Sequence, residues 1–271
     1  MSVTWREGAE LAPPRPDARG LARAAMRGVP LVALLGVGLA LLLLLRLVER
    51  PLCHPRRPVT PWITVLACRG ALRLLGIGTA CHGVPLAGAG AVVVNHSSWL
   101  DILALNAARP VVFVSKTEVA GWAGIGWLAR ATGTLFVRRE ARGEAAIQAR
   151  AVGDRVRGGE TLVLFLEGTS SDGRRVLPFK PALLAGLLAP DLPAGTAVQP
   201  VTLSWEAPDG EDPRFYGWFG DAAFGPHALA VLASRRPGGV SIIYHAAIPV
   251  AGRNRKDLAR HAEAAVRAAL R

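Results

Sequence analysis

Ala91-Val92-Val93-Val94-Asn95-His96-Ser97-Ser98-Trp99-Leu100-Asp101 runs from an apolar tetrad through a polar turn and into an apolar segment that opens with an acid. Four small or β-branched apolar residues in a row suit a strand buried on both faces. Asn-His-Ser-Ser then supplies turn chemistry, with Ser97 or Ser98 placed to cap a following helix. A carboxylate at Asp101, near the start of that helix, gains from the helix dipole. The stretch therefore reads as strand, turn and helix, with His96 two residues past the strand. Within these eleven residues a capped turn and a working His–Asp pair are equally good readings.

The rest of the chain repeats the pattern. Candidate strands are 91–94, 111–114, 134–137, 161–165, 197–203 and 240–245. Candidate helices are 100–107, 124–131, 144–157, 182–188 and 255–269. Such alternation predicts an α/β fold, a mixed and largely parallel sheet flanked by helices. In sheets of this kind the working residues gather just beyond the carboxyl ends of the strands.

Two further loops fit that rule. The strand at 161–165 runs into Leu166-Glu167-Gly168-Thr169-Ser170-Ser171-Asp172-Gly173, where Gly168 permits close backbone approach and free N–H groups suit an anion. The strand at 134–137 runs into Arg138-Arg139, whose guanidinium groups suit a phosphate or carboxylate. Each loop alone is as well explained by a solvated turn.

Upstream, residues 29–45 (VPLVALLGVGLALLLLL) are uncharged and apolar. With Leu47 and Val48 they approach the roughly 20 residues that cross a bilayer. No small-x-small cleavage site follows, which favours a retained anchor over a cleaved signal. Residues 62–77 (WITVLACRGALRLLGI) carry Arg69 and Arg73 on one helical face. They form either an interfacial amphipathic helix or a helix packed on the protein with a solvated basic stripe. Residues 1–28 read as a flexible tail, 29–80 as a membrane-anchoring helical region and 81–271 as the catalytic domain.

Composition agrees with a lipid setting. The 271 residues are 51% hydrophobic, with a net charge of +12 and arginine supplying nearly all of it. The mean hydropathy is +0.31 and the pI near 11.1. A basic, apolar chain fits anionic lipid. No zinc-finger spacing or aromatic-rich basic strand points to nucleic acid. Cys53, Cys68 and Cys81 leave an odd thiol and make no C-x-x-C pair, which suits a reducing compartment. Cys53-His54 and Cys81-His82 match no zinc spacing, so no metal is expected. No G-x-S-x-G elbow is present, which argues against a serine lipid hydrolase. A non-catalytic lipid-binding protein that retains the fold is the remaining alternative.

Taken in order, the motifs resemble those of the lysophospholipid acyltransferase family, the glycerolipid acyltransferases typified by bacterial 1-acylglycerol-3-phosphate acyltransferase. Asn95, His96, Ser98 and Asp101 match N-H-x-S-x-x-D. Gly133, Phe136 and Arg139 match G-x-x-F-I-x-R. Phe165, Glu167, Gly168 and Thr169 match F-P-E-G-T-R-S, and Val198, Pro200 and Val201 match V-x-P-V. The resemblance implies a membrane-bound O-acyltransferase that moves a fatty acyl group from acyl-CoA or acyl carrier protein to the hydroxyl of a lysolipid, with no cofactor and no metal. It implies His96 as general base, oriented by Asp101, because an imidazole with an ordinary pKa near 6.5 suits proton abstraction at working pH. It implies substrate binding by Asn95, Ser98, Arg139, Glu167, Gly168 and Thr169. Of these, Arg139 would hold the acceptor's anionic group and Glu167 would orient its head. Ser98 or the N–H groups near Gly168 would stabilise the oxyanion. The expected partners are membrane lipid and the acyl thioester. The expected location is a bacterial inner membrane, with the catalytic domain on the cytoplasmic side. Two positions depart from the pattern: Leu166 stands for the family proline and Ser170 for the arginine that helps hold a phosphate. The Glu-Gly-Thr-Ser-Ser-Asp-Gly variant, followed by Leu177-Pro178-Phe179-Lys180, is similar to members that acylate lyso-ornithine lipid. There Asp172 is a further candidate, and Arg174 and Arg175 stand ready to replace the lost charge.

Overall fold

The computed structural model describes residues 5, 13–53, 57–122, 124–138, 142–236 and 238–270. Two helices come first, α1 (Ala18–Cys53) and α2 (Thr60–Leu75). Then follow β1 (Ile77–His82), β2 (Gly90–Val94), α3 (Leu100–Ala108), β3 (Val112–Lys116), α4 (Ile125–Thr132) and β4 (Leu135–Val137). The second half holds α5 (Ala145–Arg157), β5 (Thr161–Leu164), β6 (Ala197–Glu206), α6 (Phe224–Ala233), β7 (Gly238–Tyr244), β8 (Ile248–Pro249) and α7 (Arg255–Ala269).

The strands form one sheet in the order β1-β7-β6-β2-β5-β3-β4, with β8 pairing on β6. From β6 to β4 every pairing is parallel, while β7 runs antiparallel to β6. All five residues of β2 are buried, as a strand covered on both faces requires. Its side chains alternate between two cores. Val92 and Val94 join Leu72, Leu100, Phe113 and Leu203 under α2 and α3. Ala91 and Val93 join Leu164, Val152, Leu187 and Leu258 under α5 and α7.

Four segments differ from the sequence expectation. Residues 18–28, placed in a flexible tail, are the first turns of α1. Asp17 caps them, its side-chain oxygen accepting from Gly20 N at 2.7 Å. Ile77–His82 is an edge strand beside β7 rather than the end of an anchoring helix, because Gly76 at φ 72° closes α2. Phe224–Ala233 is helical although Gly225 and Pro226 suggest a loop; proline is tolerated in a first turn. Leu183–Leu188 is a 3-10 turn rather than an α-helix.

The basic helix has one face on the domain and leaves Trp62 and Leu66 exposed on the other. α2 packs on the domain through Val65, Cys68, Ala71, Leu72 and Leu75. Arg69 Nε donates to Ala107 O at 2.7 Å, satisfying a carbonyl at the end of α3. Its basic stripe is thus partly a helix cap.

Candidate active site

β2 and β5 lie side by side and end together, so the loops after Val94 and Leu164 meet at the carboxyl edge of the parallel strands. Asn95 fastens the first loop. Its Nδ2 donates to Leu203 O at 2.9 Å and its Oδ1 accepts from Leu203 N at 2.8 Å. This amide fills a ladder position on β6 that β2 has just vacated.

His96 Nδ1 sits 2.8 Å from Asp101 Oδ2. The same oxygen accepts from Ser97 N at 2.8 Å and Ser98 N at 3.0 Å. Oδ1 accepts from Trp205 Nε1 at 2.8 Å. Asp101 is wholly buried, and an ionised carboxylate only accepts, so the shared proton belongs on Nδ1. Nε2 is left with its lone pair and has no hydrogen bond among the described residues. The imidazole stacks on Phe165, with centroids 4.0 Å apart and planes 22° apart, and its side chain stays 22% exposed. The ring is therefore held on an edge and a face while one nitrogen remains available.

Glu167 ties the second loop to the first. It is 2% exposed; Oε1 accepts from His96 N at 2.9 Å and Oε2 from Leu177 N at 3.1 Å. Burial pushes its carboxyl up to about 8, against the downward pull of those two amides. Ser171 N also donates to His96 O at 2.8 Å. Gly168, at φ 81°, makes the turn a β-carbon would strain. The amides of Thr169 and Ser170 carry no hydrogen bond among the described residues.

Asn95, Ser98 and Glu167, expected to bind substrate, are all buried, and the side chain of each accepts from a backbone amide: Leu203 N, Leu100 N, and His96 N with Leu177 N. Ser98 caps the start of α3, as expected: its Oγ accepts from Leu100 N at 3.3 Å, while Trp99 at the helix boundary makes no side-chain cap bond. Asp101 reaches back to the amides of Ser97 and Ser98. Asp172 is buried beside the loop, its Oδ1 accepting from Arg174 N at 3.0 Å. Arg139 lies outside the described residues.

Sequence reasoning missed Trp205. It lies on β6, 104 residues from the carboxylate it donates to. A buried indole N–H needs an acceptor, but nothing local says which. It also missed His227 on α6. Trp99 Nε1 donates to His227 Nδ1 at 3.0 Å, and His227 Nε2 lies 3.2 Å from Phe215 O. Burial lowers the pKa of His227, which suits a neutral ring that accepts at one nitrogen and donates at the other.

Beside Trp99 an apolar cavity of about 270 Å³ opens between the helices, lined by residues such as Leu35, Leu39, Cys68, Leu103 and Phe113. Two larger clefts, of about 670 and 540 Å³, lie at the opposite edge of the sheet and include none of the motif residues named above except Gly133.

Residues 80–204 match the family model described as Acyltransferase. The chain is 47% identical over 265 residues to a lyso-ornithine lipid O-acyltransferase of Rhodobacter capsulatus, covering 97% of this chain and 96% of the relative. It is 35% identical over 114 residues to a 1-acyl-sn-glycerol-3-phosphate acyltransferase of Neisseria gonorrhoeae, covering 42% of this chain and 43% of that one. The fold is similar to the crystal structure of the 1-acyl-sn-glycerophosphate acyltransferase PlsC from Thermotoga maritima, with a TM-score of 0.56 and 18% identity over 90% of this chain and 96% of that one. At that identity the structural likeness carries the fold alone. With the His96 and Glu167 loops brought to one sheet edge and a near full-length relative of high identity, the chain belongs to the lysophospholipid acyltransferase family and is an acyltransferase.

Proposed function

We propose that the protein moves a fatty acyl group from a thioester, acyl-CoA or acyl carrier protein, to the free hydroxyl of a lysolipid at a membrane surface. The observation that carries this reading is His96, with Nδ1 held by the buried Asp101 and Nε2 left free on a partly exposed ring. Nε2 takes the proton from the acceptor hydroxyl as its oxygen attacks the thioester carbonyl. Asp101 holds the tautomer and stabilises the imidazolium. The amides of Thr169 and Ser170 receive the developing oxyanion. When the tetrahedral intermediate collapses, the carbon–sulfur bond breaks and the thiolate recovers the proton from Nε2. The products are an ester and a thiol. In this scheme Asn95, Ser98 and Glu167 position the loops, and the apolar cavity beside Trp99 receives an acyl chain. Arg139 remains a candidate for the acceptor's charge.

Lyso-ornithine lipid is the acceptor we favour. The relative with that name matches almost the whole chain, and Ser170 stands where a phosphate-holding arginine would be.

The first helix supports a place within one leaflet, on the cytoplasmic side of a bacterial inner membrane where the thioester is available. α1 is long and apolar enough to cross a bilayer. Yet both its ends are tied to the catalytic domain. Arg23 Nε donates to Ala233 O at 3.0 Å and Arg27 Nη1 to Ser234 O at 2.9 Å, at the end of α6. Arg46 donates to Ala131 O, at the end of α4. Glu49 accepts from Val59 N at 2.7 Å, ahead of α2. Arg23 and Arg46 are separated by about 35 Å of helix at 1.5 Å per residue, more than the roughly 30 Å hydrocarbon core. A spanning α1 would carry parts of one domain to opposite faces. Lying along the surface, it offers Val29, Val32, Leu44 and Leu47 to lipid.

The test is acylation by membranes holding the protein, with labelled acyl carrier protein or acyl-CoA and each acceptor offered separately. Acylation of lyso-ornithine lipid, lost in His96→Ala, is the expected result. Undiminished turnover by His96→Ala would remove the base from the scheme.

A further inference from the structure

The segment Ser170-Ser171-Asp172-Gly173-Arg174-Arg175 folds back onto the loop that carries His96. Ser171 N donates to His96 O at 2.8 Å, and Ser171 Oγ donates to Arg175 O at 3.1 Å. Gly173, at φ 75°, rides on Ser97: a β-carbon there would come within 3.3 Å of Ser97 Cβ. Whatever Arg175 binds is therefore held one loop away from the base.

Arg175 is fixed in direction but not closed off. Its Nη2 lies 3.3 Å from Asp172 Oδ2, and its Cζ sits 5.0 Å over the ring of Trp5. Asp172 has only 7% of its side chain exposed, while Arg175 keeps 49%. The neighbouring Arg214 is committed differently, with Nε 3.0 Å from Asp212 Oδ1 and Nη2 2.9 Å from Asp212 Oδ2. A guanidinium held by a buried carboxylate on an edge and an aromatic ring on a face keeps its remaining donors pointing one way. Such a fork matches a carboxylate bidentately.

We propose that Arg175, oriented by Asp172, binds a carboxylate on the acceptor headgroup and so selects lysolipids with an amino-acid head. The proposal rests on the acceptor reading given above. An ornithine head offers a carboxylate where a lysophosphatidate offers a phosphate. Arg175 then supplies, from five positions further on, the positive charge that Ser170 lacks.

The test compares lyso-ornithine lipid with its headgroup carboxamide, together with 1-acylglycerol-3-phosphate, on the full-length enzyme in mixed micelles. In Arg175→Gln the KM for the carboxylate acceptor is expected to rise about 10- to 100-fold, the span of a lost hydrogen bond to a charged group. The KM for the carboxamide and kcat on both should stay within about twofold of the parent enzyme, since the guanidinium meets only the carboxylate. Arg175→Lys should recover part of the loss. An equal loss on both ornithine acceptors, or none on either, overturns the role of Arg175 while leaving the acceptor reading in place. Turnover of 1-acylglycerol-3-phosphate and of neither ornithine lipid overturns the acceptor reading and the proposal with it.

Discussion

Replacing Trp205 with Phe removes one N–H and keeps most of the ring. Trp205 Nε1 is 2.8 Å from Asp101 Oδ1, the oxygen that does not face the imidazole. Hydrogen bonds to charged groups contribute about 1.5–3 kcal/mol each. Losing this one leaves the buried carboxylate less stabilised and therefore more attractive to the imidazolium. If a third to a half of the loss reaches the His96 side, the acid limb of the kcat/KM profile moves up by about 0.5–1 pH unit, at about 1.4 kcal/mol per unit. The freed carboxylate can also rotate, and misalignment of the base is expected to lower kcat about tenfold with KM little changed. The assay is a pH–rate profile from pH 5 to 9 with acceptor varied from below to above KM, so that kcat and kcat/KM are read separately. Tyr216→Leu serves as control. It disturbs the ring contact with Trp205, at 5.2 Å between centroids, without touching the N–H. A wild-type acid limb and kcat in Trp205→Phe, or the same shift in Tyr216→Leu, would refute the reasoning.

Other outcomes follow from the same geometry. Asp101→Asn should lower kcat by about 10³-fold or more, because an amide cannot hold the tautomer and accept from two backbone amides together; a purified variant with over a tenth of the parent rate would contradict this. Glu167 should make the fold less stable with rising pH. Its folded carboxyl titrates near 8 and its unfolded one near 4.5, so the stabilisation present below 4.5 is lost progressively through pH 8. The full effect is roughly 5 kcal/mol at most, and Glu167→Gln should flatten that part of a melting-temperature profile. Asn95→Ala leaves Leu203 N and O without partners in a buried site, which costs about 1–3 kcal/mol per group; its thermal midpoint should fall by several degrees. Single cysteines placed at Arg19 and Arg50 should both react with an impermeant maleimide from the cytoplasmic face of inverted vesicles. Protection of one and not the other would mean that α1 crosses the bilayer.

Much of the fold was legible because its signals are local. The β2–α3 unit announces itself through four apolar residues, a turn and an acid, all within eleven positions. The same holds for β5 and its Glu-Gly-Thr loop. β1 was hidden because Ile-Gly-Thr-Ala-Cys-His buries only its first residue at a sheet edge. α6 was hidden by Gly225 and Pro226. The His96–Asp101 pairing was readable from order and spacing, but the backbone partners of Asn95 and Glu167 were not. A polar residue in a motif looks alike in sequence whether it faces a substrate or a neighbouring amide. Trp205 and His227 escaped for a plainer reason: their partners are 104 and 128 positions away.

The order of synthesis gives the clamped first helix a kinetic meaning. The carbonyls that Arg23 and Arg27 bind belong to residues more than 200 positions later. At about 5–20 residues per second they emerge roughly 10–40 s after the arginines. For that interval the leucine-rich helix has α2 beside it but lacks the surface of α6. In the membrane setting proposed above, lipid is the solvent that accepts its exposed face. The bilayer then holds the first element in waiting, and the domain that completes the site is assembled against a helix already at the membrane.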